Sequence, residues 1–126
     1  MTVLVDTSIW IDYFRGGDDS IQMDFLIDEN LLVTNDLILA ELIPFLKVQN
    51  KTRVINLLYN INRLELSIDW NEIIDYQYGC LKNGLNSVGI PDLLIVQNAK
   101  QNNCKIYTLD NHFFLMQDIL SLQIQT

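Results

Sequence analysis

The 126-residue sequence predicts one α/β domain, residues 1–126, built on a central, mainly parallel sheet of about five strands. A continuous apolar run at residues 3–5 ends on Asp6, and residues 105–110 repeat this form as a brief apolar strand that ends on Asp110. Such runs are typical of strands covered on both faces, as in parallel sheets. The segments between the runs have apolar residues at helical spacing, so helices and strands alternate along the chain.

The first strand is predicted at Val3–Val5, and Thr7 and Ser8 offer N-cap side chains to the helix that follows it. Gly16 and Gly17 end this helix. A short helix around residues 21–27 then leads to a second buried strand at residues 31–34.

A third helix is predicted after Asn35 and Asp36, with Leu37, Glu41, Pro44 and Val48 on one apolar side. Glu41 is therefore predicted to be an acid among apolar neighbours, although a glutamate at the edge of such a side can also reach water. Because proline lacks an N–H group, we expect Pro44 to bend or break the helix just beyond Glu41.

The second half of the chain predicts a helix at Thr52–Tyr59, an outer strand at residues 64–68 and a longer helix at 69–85. The large apolar residues of that longer helix are interpreted as packing residues; they are Trp70, Ile73, Ile74, Tyr76, Tyr78 and Leu81. The next helix opens with Pro91 and Asp92, and helical register places Asp92 on its inward face. A strand at residues 105–110 and a final edge strand at 120–124 complete the prediction.

Four acids are candidates for a common site: Asp6, Glu41, Asp92 and Asp110. Each has an ordinary explanation by itself, as a helix cap, a turn residue or a solvated acid. All four follow a strand or lie near a helix start, which in a parallel sheet is the same rim. If the first and fourth strands are neighbours, Asp6 and Asp110 lie side by side. Clustered carboxylates repel one another, and oxygen ligands of this kind favour Mg²⁺ or Mn²⁺.

Composition limits the remaining alternatives. The net charge of −8 argues against a broad basic surface for nucleic acid. Arg15 and Lys47 are weak candidates for a small basic substrate-binding lip, and the alternative is a solvated helix surface. Cys80 and Cys104 are expected to be reduced thiols. No signal segment or membrane span is evident, so we expect a cytoplasmic protein without a membrane partner.

The chain resembles PIN-domain ribonucleases, in particular the VapC-type toxins of toxin–antitoxin pairs. The resemblance rests on four segments: LVDTSIWI at residues 4–11, LAEL at 39–42, IPDLLIV at 90–96 with Ala99, and YTLDNHF at 107–113. It implies a three-layer α/β/α fold and a Mg²⁺- or Mn²⁺-dependent endoribonuclease. The implied partners are RNA, a cognate antitoxin and a second copy of the chain in a homodimer.

The resemblance also implies roles for individual residues. Asp6, Glu41, Asp92 and Asp110 would be catalytic and would hold one or two ions, and Ser8 and Thr108 would support them. Many members carry another acid two residues after the fourth one, where this chain has His112. We expect His112 to be a packing or hydrogen-bonding residue. The alternative function is a catalytically weak PIN domain that binds protein or RNA.

Overall fold

Four short parallel strands form the centre of the structure, a computed structural model that describes residues 1–126. The strands are β1 Val3–Val5, β2 Leu32–Asn35, β3 Asn62–Leu64 and β4 Lys105–Tyr107. The helices are α1 Thr7–Phe14, α2 Ser20–Asp28, α3 Asp36–Val48, α4 Thr52–Tyr59, α5 Trp70–Lys82, α6 Ile90–Gln101 and α7 Asn111–Leu120. None of the helices is long and apolar enough to cross a membrane.

The order of the strands is β3-β2-β1-β4, so β1 lies between β2 and β4. The parallel register pairs Val5 with Tyr107, the last residues of β1 and β4. The chain runs from β1 through β2 to β3 on one side and then returns to place β4 on the other. The predicted pairing of the first and fourth strands is confirmed. Their carboxyl ends form the switch point at which open α/β sheets present chemistry.

Helices cover both faces of the sheet and give the expected three-layer α/β/α architecture. Helices α1 and α3 contact each other and their neighbours α2 and α4, whereas α5 contacts α6 and α7. The strands β1 and β2 are buried at every residue, which explains the continuous apolar run of β1 and the apolar Leu32 and Val33 of β2. Trp10 and Phe113 are the largest fully buried side chains of the core.

The sheet has four strands, where about five were predicted. Helix α7 continues to Leu120, and Ser121 ends it in a left-handed conformation with φ 55°. The expected edge strand at 120–124 is therefore reduced to one parallel bridge between Ile106 and Ile124. The outer strand expected at residues 64–68 also lies earlier, at Asn62–Leu64, where it pairs with β2.

Helix α3 differs from its prediction in two respects. It runs without a break through Pro44 to Val48. Ala40 and Pro44 are both exposed, so water can satisfy the carbonyl group that a proline leaves unpaired. The buried side carries Ile38, Leu39, Leu42, Ile43 and Leu46. The side that contains Glu41 and Val48 is exposed, so of the two alternatives for Glu41 the structure has the one in which the glutamate reaches water.

Helix α5 also faces differently from the prediction. Ile73 and Cys80 are its buried residues. Four of the residues interpreted as packing are instead more than half exposed: Trp70 at 57%, Ile74 at 64%, Tyr78 at 64% and Leu81 at 53%. The helix carries apolar residues on two sides, and periodicity alone does not tell which side faces the sheet.

Candidate metal centre

Asp6 is the most buried of the four acids, with 5% of its surface exposed. It follows β1 directly and caps α1, because its Oδ1 accepts hydrogen bonds from the backbone N–H groups of Ser8 at 3.0 Å and Ile9 at 3.4 Å. The Ser8 hydroxyl also donates to Oδ1, at 2.5 Å, and the Thr108 hydroxyl donates to Oδ2 at 2.7 Å. The expected cap residues Thr7 and Ser8 therefore lie one and two positions inside the helix, and Asp6 is itself the cap.

The two predicted supporting residues connect the loops after β1 and β4. The Ser8 hydroxyl accepts a hydrogen bond from the Leu109 N–H at 2.9 Å, and the Thr108 hydroxyl accepts one from the Asp110 N–H at 2.9 Å. The two hydroxyl oxygens are 3.4 Å apart. Ser8 and Thr108 thus hold Asp6 and the backbone of Asp110 in one hydrogen-bonded unit.

Asp92 and Asp110 come together although 18 residues separate them in the chain. Asp92 lies in the first turn of α6, and Asp110 caps α7 by accepting the His112 N–H at 2.9 Å. One ligand atom from each of Asp92, Asp110 and His112 lies within 4.8 Å of the others. The side chains of both acids keep some exposure, 25% for Asp92 and 37% for Asp110.

Glu41 approaches the same cluster from α3. Its pKa is raised by desolvation and then by the negative charges of Asp92 and Asp6. The pKa of Asp92 is raised by desolvation, by Asp110 and by Asp6, against a lowering by His112 and by a backbone hydrogen bond from Gly89. The structure therefore brings Asp92 and Asp110 together at the β1–β4 switch point and joins the Asp110 backbone to Asp6 through Thr108. Glu41 lies on the solvent side, where the charges of Asp92 and Asp6 act on it.

Burial also raises the pKa of Asp6, although its hydrogen bonds from Ser8 and Thr108 act in the opposite direction. No lysine or arginine forms an ion pair with any of the four acids, and His112 is the sole basic side chain among them. Partly buried carboxylates without a cationic partner are costly. The donor set, oxygen atoms with one imidazole, fits a hard divalent cation.

Two further residues lie at this site: His112, expected only as a packing or hydrogen-bonding residue, and Ser87, which was not predicted. The Nδ1 atom of His112 is 3.4 Å from Asp110 Oδ1 and 3.9 Å from Asp92 Oδ2. Its Nε2 atom is 3.1 Å from the Ser87 hydroxyl, in the loop before α6. The position of His112, two residues after Asp110, was the available sequence signal. Nothing in the sequence pattern around Ser87 indicated its contact.

The weak substrate-binding candidates lie away from the acids. Arg15 follows the last residue of α1, about 12 Å along the helix axis from the end that Asp6 caps. It lines a cavity of about 150 Å³ between α1 and α3, together with Phe45 and Lys51. Lys47 is exposed in the last turn of α3, almost two turns beyond Glu41. A substrate-binding role for Arg15 and Lys47 therefore stays a prediction, and it requires a substrate that extends beyond the acidic cluster.

The PIN domain family model matches residues 3–118 of the chain. The match begins with β1 and ends within α7, so it includes all four acids, Ser8 and Thr108. No curated protein matches the chain.

Proposed function

Because the chain belongs to the PIN domain family, whose members are generally metal-dependent nucleases, we propose that it is a Mg²⁺- or Mn²⁺-dependent endoribonuclease of the cytoplasm. The observation that carries the proposal is the close approach of Asp92 and Asp110, hydrogen-bonded through Thr108 to the buried Asp6, without a lysine or arginine partner. Glu41 adds a fourth negative charge that acts on this group. A fold alone does not imply chemistry, and this cluster is the chemical part of the argument.

Asp6, Asp92 and Asp110 would hold the ion, with Glu41 as a further oxygen ligand, direct or through water. When bound, a divalent ion supplies activation of water and neutralisation of charge on the phosphodiester. Asp6 is positioned for this role by Ser8 and Thr108, which fix its carboxylate through three hydrogen bonds from side chains and the Ser8 backbone. Such preorganisation means that little rearrangement is needed when substrate arrives.

Glu41 differs from the other three acids because it is exposed to solvent, and its pKa, like those of Asp6 and Asp92, is raised. A carboxylate with a raised pKa takes a proton from water more readily than an ordinary one, and an exposed position lets it pass that proton to solvent. We assign Glu41 the role of receiving a proton from the attacking water and releasing it to solvent. Asp6, at 5% exposure and with both oxygens hydrogen-bonded, is suited to holding charge in place.

We further propose that the chain is the VapC-type toxin of a type II toxin–antitoxin pair. Support comes from the four segments of the sequence resemblance and from the negative cluster, which would attract a basic side chain of an antitoxin. An open cavity of about 290 Å³ lies between α3 and α4, lined by Leu39, Ala40, Ile43 and Pro44 among others. An apolar antitoxin segment in this cavity would lie within one helical turn of Glu41.

For the homodimer, the exposed apolar side of α5 is the surface that we propose for a second copy. It joins Ile90 at the start of α6 to form an apolar cavity of about 380 Å³. A stable dimer buries about 800 Å² on each partner, and an exposed aromatic residue contributes on the order of 100 Å². Trp70 and Tyr78, with Ile74 and Leu81, therefore supply much of that area.

The charges of α5 favour a two-fold, antiparallel contact between the copies. Asp69 and Glu72 lie at its N-terminal end, and Lys82 lies in its last turn. In an antiparallel pair, Lys82 of each copy meets the acidic end of the other, and the helix dipoles oppose each other favourably. The same arrangement places Ile74 opposite Tyr78 around the two-fold axis.

The test is cleavage of structured and unstructured RNAs by the purified chain in Mn²⁺, Mg²⁺ or EDTA, with Asp92→Asn prepared identically. We expect cleavage that requires the ion and is lost in the variant. Asp118→Asn, an exposed acid on α7, is the matched charge control and should cleave normally. If the folded chain binds no divalent ion and cleaves no RNA, the binding-module alternative replaces the nuclease.

A further inference from the structure

His112 is oriented by three contacts from three different parts of the chain. Its Nδ1 atom faces Asp110 at 3.4 Å and Asp92 at 3.9 Å, and its Nε2 atom lies 3.1 Å from the Ser87 hydroxyl. The contact with Asp110 is local, because Asp110 caps the helix that contains His112. The approach to Asp92 on α6 and to the loop at Ser87 is not required by capping. One ring edge is thus directed into the acidic cluster and the other is held outside it.

The separations fit atoms that share one ion. Two ligand atoms about 2.1 Å from an octahedral ion are about 3 Å apart in adjacent positions and about 4 Å apart in opposite positions. The separations of Nδ1 from the two carboxylate oxygens, 3.4 and 3.9 Å, are each within about 0.4 Å of one of these two values, so small side-chain shifts would allow the atoms to share one ion. A histidine that binds a metal commonly has its second nitrogen hydrogen-bonded. Ser87 provides that contact, and its hydroxyl can accept the Nε2 proton and leave Nδ1 free for an ion.

We propose that His112 binds the divalent ion of this site through Nδ1, beside Asp92 and Asp110, with Ser87 as its positioning residue. The proposal rests on the metal-dependent function proposed above and adds a nitrogen ligand to a set otherwise made of carboxylates. Imidazole favours transition ions, whereas Mg²⁺ prefers oxygen ligands. The site therefore prefers Mn²⁺ over Mg²⁺ more strongly than the four acids alone would.

A direct test is available because His112 is the one histidine of the chain. The protein is prepared without a histidine tag, loaded with Mn²⁺ and studied by pulsed electron paramagnetic resonance. We expect a nitrogen hyperfine coupling that changes when histidine is labelled with ¹⁵N and disappears in His112→Ala. Mn²⁺ bound in an Asp92-dependent manner without this coupling would overturn the proposal.

Metal affinities provide an independent readout. We expect His112→Ala to weaken Mn²⁺ binding by at least about tenfold and to weaken Mg²⁺ binding less. Ser87→Ala should weaken Mn²⁺ binding by about tenfold. His112→Asp restores an oxygen ligand, so it should keep Mg²⁺ binding and reduce the preference for Mn²⁺. Equal losses for both ions in His112→Ala, or no loss, would contradict the nitrogen ligand.

RNA cleavage in the same samples separates the two proposals. If wild type cleaves RNA with Mn²⁺ but shows no histidine coupling, the nuclease stands and the role of His112 is wrong. If wild type neither binds Mn²⁺ through Asp92 nor cleaves RNA, both proposals are wrong. Circular dichroism of His112→Ala and Ser87→Ala shows whether each variant is folded, and the ¹⁵N comparison in wild type does not depend on either variant.

Discussion

Replacing Asp92 by asparagine should stabilise the metal-free protein, because it removes one charge from a repelling cluster with little change in shape. Asp92 and Asp110 each place a carboxylate oxygen within 4.8 Å of the other. Two full charges at that separation repel by about 3 kcal/mol at an effective dielectric constant of 20 and by about 1 kcal/mol in bulk water. Both side chains are partly exposed, at 25% and 37%, so we take the lower value, about 1 kcal/mol.

The assay is thermal and urea unfolding in EDTA at pH 8. A gain of about 1 kcal/mol corresponds to a rise in Tm of about 3 to 4 °C for a domain of this size. Asp118→Asn carries the same charge change on the exposed side of α7 and should leave Tm nearly unchanged. A lower Tm for Asp92→Asn than for this control would refute the repulsion argument.

The free energy of unfolding of the metal-free protein should depend on pH because of the same charges. The pKa values of Asp6, Glu41 and Asp92 are raised in the folded protein. Between the ordinary value, 3.8 for an aspartate, and the raised one, the folded state binds more protons than the unfolded chain. The free energy of unfolding of the metal-free protein should therefore fall as pH rises through this window. The fall should be smaller in Asp92→Asn.

In the presence of Mn²⁺, wild type should become more stable than Asp92→Asn, the reverse of the order expected in EDTA. An ion that binds only the folded state at 100 times its Kd adds about 2.7 kcal/mol. Wild type should gain this stabilisation, whereas Asp92→Asn should gain much less because it has lost a ligand. If excess Mn²⁺ raises the Tm of both proteins equally, the ion binds elsewhere and the proposed site is wrong.

Three further changes test other parts of the structure. Thr108→Val removes the donor to Asp6 and leaves the N–H of Asp110 unpaired, so unfolding in urea should show a loss of about 1 to 3 kcal/mol; no loss would contradict the hydrogen-bonded unit. Glu41→Gln should reduce RNA cleavage about 100-fold or more with little change in Tm, and normal cleavage rates would exclude its proton-transfer role. Tyr78→Glu should convert a dimer to a monomer in light scattering, and an unchanged dimer would exclude the α5 surface.

The centre of the site was predictable because its sequence signals are local. Asp6 directly follows the continuous apolar run of β1, and Asp110 ends a similar, brief apolar segment at residues 105–110; such segments indicate buried parallel strands. The position of Asp92 beside them was expected from helical register. The contact of His112 with Ser87 was not predictable, because it joins a loop to a helix 25 residues later and involves two residue types that are common on surfaces.

The direction in which α3 and α5 face was harder to predict, since both helices have apolar residues on more than one side. In α3 the predicted apolar side that contains Glu41, Pro44 and Val48 faces solvent. In α5 the exposed side contains Trp70 and Tyr78. The spacing of apolar residues shows that one side of a helix is apolar, but it does not show whether the sheet or another molecule covers that side. The exposed apolar sides of α3 and α5 are therefore the surfaces at which we expect a partner to bind.

Both exposed apolar surfaces lie next to the acids. Pro44, which lines the α3–α4 cavity, follows Glu41 by three residues, and Ile90, at the edge of the α5 surface, precedes Asp92 by two. A protein bound at the α3–α4 cavity would border the exposed side of Glu41, and a second copy at α5 would border the helix end that carries Asp92. Partner binding at either surface can therefore change access to the acids without altering the hydrogen bonds that fix Asp6.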